Sequence, residues 1–332
     1  MRLFFVGIIC VAAGLVLPAA AFAESEVTLR AERLIDAWKG WLNKHEVGEA
    51  SIAVSFEGRT VAEEGVNRRV TDPSPIGSIS KSVTGICVAK LVGDGKLSFD
   101  AALKDYVATL DSSVPVKSLL RQTSGYTHDI TQRPEKYIGR DQEYLSWVLK
   151  KEIARGRDES QIGKFNYNNS NYAMLGAIIH RISGETYEQT CKNLVFTPVG
   201  ISNVFLNPDW RIMSSWGGWM ISARDHLKFV NAYFGRDSIL GKKAKDFPNH
   251  HFGNGVRYGM GYVFRNGRHG GTNFWHDGRW HTDVDGNAER FGAFFVSFDN
   301  GWVVTTNHNI SAINGEHRGL DNLIAEATHS PL

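Results

Sequence analysis

Ile76-Gly77-Ser78-Ile79-Ser80-Lys81-Ser82 opens a run to Val92 in which Lys81 and Lys90 are the only charged residues. A run this poor in charge predicts a buried helix over Ser78–Val92, closed by Gly93-Asp94-Gly95. It also holds the only Ser-x-x-Lys of the chain. On a helix those two positions share one face, a turn apart. A serine hydroxyl is a weak nucleophile until a base takes its proton. A lysine desolvated enough to lose its own proton for part of the time can be that base. The helix N-terminus adds positive potential beside Ser78. The plain alternative is a capping serine with a lysine laid along apolar surface. Lys81 in an otherwise apolar helix favours the chemical reading.

Working outward, Tyr167-Asn168-Asn169 is the only Tyr-x-Asn, in the polar loop Asn166–Asn171 before a second apolar helix, Asn171–Ile182. A phenol near cations can move a proton, and an Asn amide can orient a carbonyl and an ammonium. A capping loop with a half-buried Tyr is the competing interpretation. A third element is ambiguous, because His-x-Gly occurs at His251, His269, His276 and His317. Only His276-Asp277-Gly278 ends a strand-like run, Asn273-Phe274-Trp275, and a polar turn then leads to the strand Phe291–Phe298. Gly278 at a strand edge would let a substrate backbone approach and offer an N–H to an oxyanion.

Around these motifs Glu26–Leu42 has helical spacing, and Ser51–Phe56 with Thr60–Ala62 reads as a hairpin. Short helical patterns and turns occupy Leu97–Leu149, and Ser222–Phe234 is amphipathic. The tail turns to strands at Tyr258–Phe264, Asn273–His276, Phe291–Phe298 and Trp302–Thr306, then a helix over Glu316–Thr328. Strands at both ends with helices between predict an α+β fold: an antiparallel sheet flanked by terminal helices, with an inserted all-helical domain. The boundaries are a sheet domain over 24–97 and 216–332 and a helical domain over 98–215.

The 332 residues are 42% hydrophobic and 22% charged, which excludes disorder. Lys+Arg is 37 against Asp+Glu 35, net +2, so no charge excess points to a nucleic-acid or membrane partner. Arg2, the apolar run Leu3–Leu17 and Ala21-Phe22-Ala23 read as a signal peptide over residues 1–23, with a membrane anchor the alternative. No stable membrane span is expected after cleavage, and the localisation is periplasmic or secreted. Cys87 and Cys191 remain, read as two buried free thiols. Twelve histidines carry no His-Glu-x-x-His or Cys/His framework, so neither metal nor cofactor is expected. Gly-x-Ser-x-Gly is missing too, which disfavours an α/β-hydrolase. Trp216, Trp219, Trp275 and Trp280 read as packing against a sheet, with a cleft wall as the alternative.

In this order the motifs resemble the serine β-lactamase/penicillin-binding-protein superfamily, in its class C β-lactamase-related branch of D-Ala-D-Ala carboxypeptidases, D-aminopeptidases and esterases. Leu97-Ser98-Phe99-Asp100, Val116–Gly125 with its Thr123-Ser124-Gly125, and Ser222–Leu227 extend the similarity along nearly the whole chain. The resemblance implies a β-lactamase/transpeptidase-like fold and a serine hydrolase acting on a small ester, amide or D-amino-acid peptide. It implies Ser78 as the acylated nucleophile, Lys81 and Tyr167 sharing proton transfer, and Asn169 positioning the substrate. The N–H groups of Ser78 and Arg279 would form the oxyanion hole. His276 would stand where β-lactamases carry a Lys, and Asp277 where Thr or Ser is common, which fits peptidase and esterase relatives better than β-lactamases. His269-Gly270-Gly271 is the rival third element. Class C-type β-lactamase activity and a non-catalytic binding protein on the same fold are the alternatives.

Overall fold

The computed structural model describes residues 19–106, 113–132, 140–284, 287–309 and 316–329. The expected signal segment lies outside them up to residue 18, and α1 (Ala19–Lys44) begins just after. The hairpin β1 (Ala50–Phe56) and β2 (Arg59–Val66) follows, turning at Glu57-Gly58 where both residues have positive φ. Next come β3 (Ser74–Pro75), a 3-10 turn over Gly77–Ile79 and α2 (Ser80–Gly93). The middle is helical: α3 (Val116–Leu120), α4 (Asp141–Arg155), α5 (Asn169–Ser183) and α6 (Tyr187–Cys191). Then β4 (Phe205–Leu206), α7 (Ser214–Gly217), β5 (Trp219–Ile221), α8 (Ala223–Phe234) and α9 (Ile239–Lys243) lead back to the sheet. The chain closes with β6 (His250–His251), β7 (Arg257–Tyr258), β8 (Val263–Asn266), β9 (Thr272–Val284), β10 (Asn287–Ser297), β11 (Trp302–His308) and α10 (Glu316–His329).

Eight strands form one antiparallel sheet in the order β2-β1-β11-β10-β9-β8-β7-β6, so both ends of the chain build it. Side chains alternate across a strand, and the two faces bury different partners. Ile52, Val54, Phe294, Val296 and Val304 pack under α1 and α10 with Leu34, Trp38, Leu320 and Ile324. Ala53, Phe274, Phe295 and Val303 face the other way, into the core shared with the helices. The period of two therefore turns His276 and Gly278 toward the helical side, on the face of Phe274. No described helix is long and apolar enough to cross a membrane.

Three expectations change. Tyr258–Phe264 is two strands, because Gly259-Met260-Gly261 leaves the ladder to press on α2. A Cβ on Gly261 would lie 2.2 Å from the Lys81 carbonyl carbon, and one on Gly85 2.0 Å from the Met260 oxygen. The Ser82 hydroxyl donates to the Gly261 carbonyl at 2.5 Å there. Second, no turn follows His276-Asp277-Gly278: β9 runs on to Val284, paired with β10 throughout. A polar run held in a two-stranded ladder lacks the apolar alternation that marks a strand in sequence. Third, Cys87 and Cys191 are disulfide-bonded, with Cα atoms 5.4 Å apart across a sequence separation of 104. Helical packing brings α2 and the end of α6 together, which no local spacing reveals.

Candidate active site

Ser78 lies in the 3-10 turn ahead of α2, where Ser and Lys three apart still line up. The Lys81 ammonium donates to the Ser78 hydroxyl oxygen at 3.0 Å and to the Trp216 carbonyl at 3.0 Å. The Lys81 side chain is wholly buried, and loss of water lowers its pKa to about 7, against the opposing pull of Asp129 and Asp277. Near neutrality the Lys81 amine is therefore about half neutral.

The turn is held by backbone against backbone. A Cβ on Gly77 would come 2.9 Å from the Arg279 nitrogen, and one on Gly278 would come 1.8 Å from the Ile76 oxygen. Gly77 also has φ +50°. Two glycines thus bring the Arg279 N–H beside the nucleophile's turn. By contrast His269 sits in the β8–β9 connection, its own N–H given to Asp299 at 2.5 Å. Thr272, where β9 starts, is ~23 Å along the strand from Arg279 at the usual rise.

His276 is buried, and its Nδ1 lies 2.6 Å from the Asp277 carbonyl, so Nδ1 carries the proton. Burial holds its pKa below the ordinary value, with Lys81 adding to the fall and Asp277 opposing it. The neutral ring leaves Nε2 as an acceptor. Beside it Asp277 pairs with the Arg279 guanidinium at 2.8 Å.

Tyr167 reaches the Ser78–Lys81 pair from the opposite wall. Its ring centroid is 4.8 Å from the Lys81 Nζ, and the Ser78 hydroxyl opposes the rise of its pKa. Tyr167 is 43% exposed as a residue, yet desolvation of its phenol, with Tyr258, Asp277 and Asp129 nearby, raises its pKa well above the ordinary value. The phenol therefore keeps its proton at rest.

Asn168 caps α5. Its side-chain oxygen accepts from the Ser170 N–H at 2.7 Å, and its amide donates to the Tyr126 and His128 carbonyls at 3.0 and 2.9 Å. The Asn169 amide donates to Asp129 at 2.9 Å. Sequence reasoning named neither Asp129 nor Gln122. Gln122 is buried, with φ +61°. Its side-chain oxygen accepts from the Asn168 N–H at 3.1 Å and the Asn171 amide at 2.5 Å, and its carbonyl accepts from the Asn166 N–H at 2.8 Å. A buried polar residue in a left-handed conformation is a signature of a functional site, but its φ is not visible in sequence. Of the four tryptophans, Trp216 and Trp219 are core residues, while Trp275 and Trp280 pack against different cores.

The family description Beta-lactamase matches residues 31–329. The chain belongs to the beta-lactamase family. Among solved structures in its fold, the β-lactamase/D-alanine carboxypeptidase from Pseudomonas syringae superposes with TM-score 0.70 at 16% identity, covering 91% of this chain and 99% of that one. The D-amino acid amidase from Ochrobactrum anthropi SV3 gives 0.70 at 18%, covering 90% and 99%. Among curated relatives, penicillin-binding protein 4 of Amycolatopsis lactamdurans is 26% identical over 181 residues, 50% of this chain and 46% of its own. Protein flp of Staphylococcus aureus strain COL is 26% identical over 178 residues, 49% of this chain and 35% of its own. The aligned part thus spans less than half the length of these relatives.

Proposed function

We propose that the protein is a secreted or periplasmic serine hydrolase that forms an acyl-enzyme on Ser78 from an ester or amide, of esterase or D-peptidase type. The observation that carries this is the 3.0 Å contact between the Ser78 hydroxyl and a buried lysine with pKa about 7. Neutral Lys81 takes the hydroxyl proton as the oxygen attacks the carbonyl carbon. The oxyanion is received by the Ser78 and Arg279 N–H groups. As the acyl–O or acyl–N bond breaks, the leaving atom takes the Tyr167 proton, which Lys81 replaces. Water then attacks the ester by the reverse proton path. Asn169, held by Asp129, lines the substrate side.

Neutral His276 and the Asp277 carboxylate set the preference. Neither attracts a substrate carboxylate, so β-lactams are disfavoured relative to neutral esters and amides. The likeness to a D-amino acid amidase fits an amide without a free carboxylate. The Cys87–Cys191 bridge supports an oxidising compartment. Mass spectrometry after a fluorophosphonate probe is expected to show one adduct on Ser78, and none in Ser78→Ala. Folded protein without an adduct overturns the acyl-enzyme.

A further inference from the structure

Among the described residues, Leu29, Ile162, Tyr167, Ile239 and Phe252 are the large apolar side chains most open to solvent. Two of them end a single run of rings. Tyr167 stands edge-on to Tyr258 with centroids 6.1 Å apart, Tyr258 meets Phe165 at 5.2 Å, and Phe165 meets Phe252 at 4.8 Å. These are separations at which rings attract. His250 closes a triangle with Phe165 and Phe252, at 5.6 and 5.4 Å. Tyr258 is buried in β7 and anchors the run, while Phe252 is 41% exposed. The β6–β7 turn places Phe252 through its N–H to the Val256 carbonyl at 2.9 Å, with Gly253 and Gly255 at positive φ between.

The chemistry at the near end says what covers it. The oxyanion side is the β9 side, where the Arg279 N–H meets the nucleophile's turn. Tyr167 comes from the other wall with its proton retained, so the departing atom must lie beside it. Whatever is attached to that atom leaves on the Tyr167 side, over Phe165 and Phe252, with Tyr258 buried beneath them and 6.4 Å from the His276 ring. We propose that these rings form a leaving-group subsite for an aromatic or bulky apolar alcohol or amine portion of the substrate. This rests on the acyl-enzyme reading and adds which side of the scissile bond carries the selectivity.

The test compares ethyl and 2-phenylethyl esters of one acid, whose alcohols are similarly acidic, so that the rate ratio reads binding. The enzyme is expected to favour the 2-phenylethyl ester in kcat/KM. Phe252→Ala, an exposed change, narrows that ratio about tenfold, and Phe252→Leu restores part of it. A matched pair differing on the acyl side, propionyl against 3-phenylpropionyl, keeps its ratio in both variants. An unchanged leaving-group ratio in Phe252→Ala, or equal losses on both pairs, overturns the subsite while Ser78 labelling still stands. If neither ester turns over, 2-phenylethanol is expected to slow fluorophosphonate labelling of Ser78 more than ethanol does, and equal slowing overturns the subsite. Absence of any Ser78 adduct overturns the acyl-enzyme and the subsite together.

Discussion

The two walls of the site are built on different principles. On the Ser78 side, main chain touches main chain: Gly77 and Gly278 remove the atoms that would keep the Gly77–Ile79 turn from β9, and Gly85 and Gly261 those that would keep α2 from the β7–β8 connection. On the Tyr167 side, the loop is held by side-chain amides and a carboxylate: Gln122, Asn168, Asn171 and Asp129. The first wall fixes Ser78 and two N–H groups whose positions tolerate little change, since no rotamer can relieve a backbone clash. The second positions a phenol whose charge state depends on its surroundings. A network of that kind should respond in a graded way, and a conservative exchange should restore it.

The sharpest way to break this contrast lies between the walls, at Lys81. Lys81→Met is expected to lower kcat/KM by about 10²–10⁴. The wild-type kcat/KM should rise with pH through about 7, as the amine becomes neutral. Stability carries the same signature. The folded pKa lies below that of the unfolded lysine, so between about 7 and 10.5 the unfolded chain binds more protons. Wild type therefore gains stability over Lys81→Met as pH rises across that window, and the difference is flat below it. Paired thermal melts at pH 6 and pH 9.5 check this; a constant difference would mean the lysine is not desolvated.

Next in size is the glycine wall. Gly278→Ala places a methyl carbon 1.8 Å from the Ile76 oxygen, forcing β9 away from the nucleophile. Acylation should slow by about 10² through loss of the oxyanion donor. Measured kcat/KM with a thermal melt separates that effect from global unfolding, and full activity would refute the role of the Arg279 N–H.

The smallest effect is expected on the amide wall. Gln122→Ala removes one acceptor for two donors and should lower kcat about tenfold through a displaced Tyr167, with KM moving less. Gln122→Glu keeps the oxygen and should recover most of the rate. If the two variants fall equally, Gln122 is a fold element and not a positioning residue.

The same contrast explains what could be seen in advance. Ser78, Lys81 and Tyr167 stood out because each motif occurs once and each sits against an apolar helix. The alternation of the β1 segment and the aromatic and β-branched runs of β10 and β11 marked the sheet. Gly278 could be picked from its motif, yet the close approach that requires it depends on a partner 200 residues away. Gln122 and Asp129 were invisible because their importance lies in a φ angle and in partners from a distant loop. The long β9 was shortened for a related reason. His276 to Asp283 is polar, and only pairing with β10 makes it a strand. The cysteines were misjudged because pairing across helices leaves no local trace.

That pairing reaches beyond a single covalent link. Cys87 sits six positions after Lys81 on the same helix, and Cys191 ends α6, so the bond closes into one ring the polypeptide that supplies Tyr167, Asn169, Gln122 and Asp129. Tyr167 and the residues that hold its loop are thereby tethered to the helix that carries Lys81. In an unfolded chain such a ring would restrict the coil by about 4–5 kcal/mol by chain-entropy arithmetic. Material made in a reducing cytosol would lack that tether, and its two catalytic walls would be joined by packing alone.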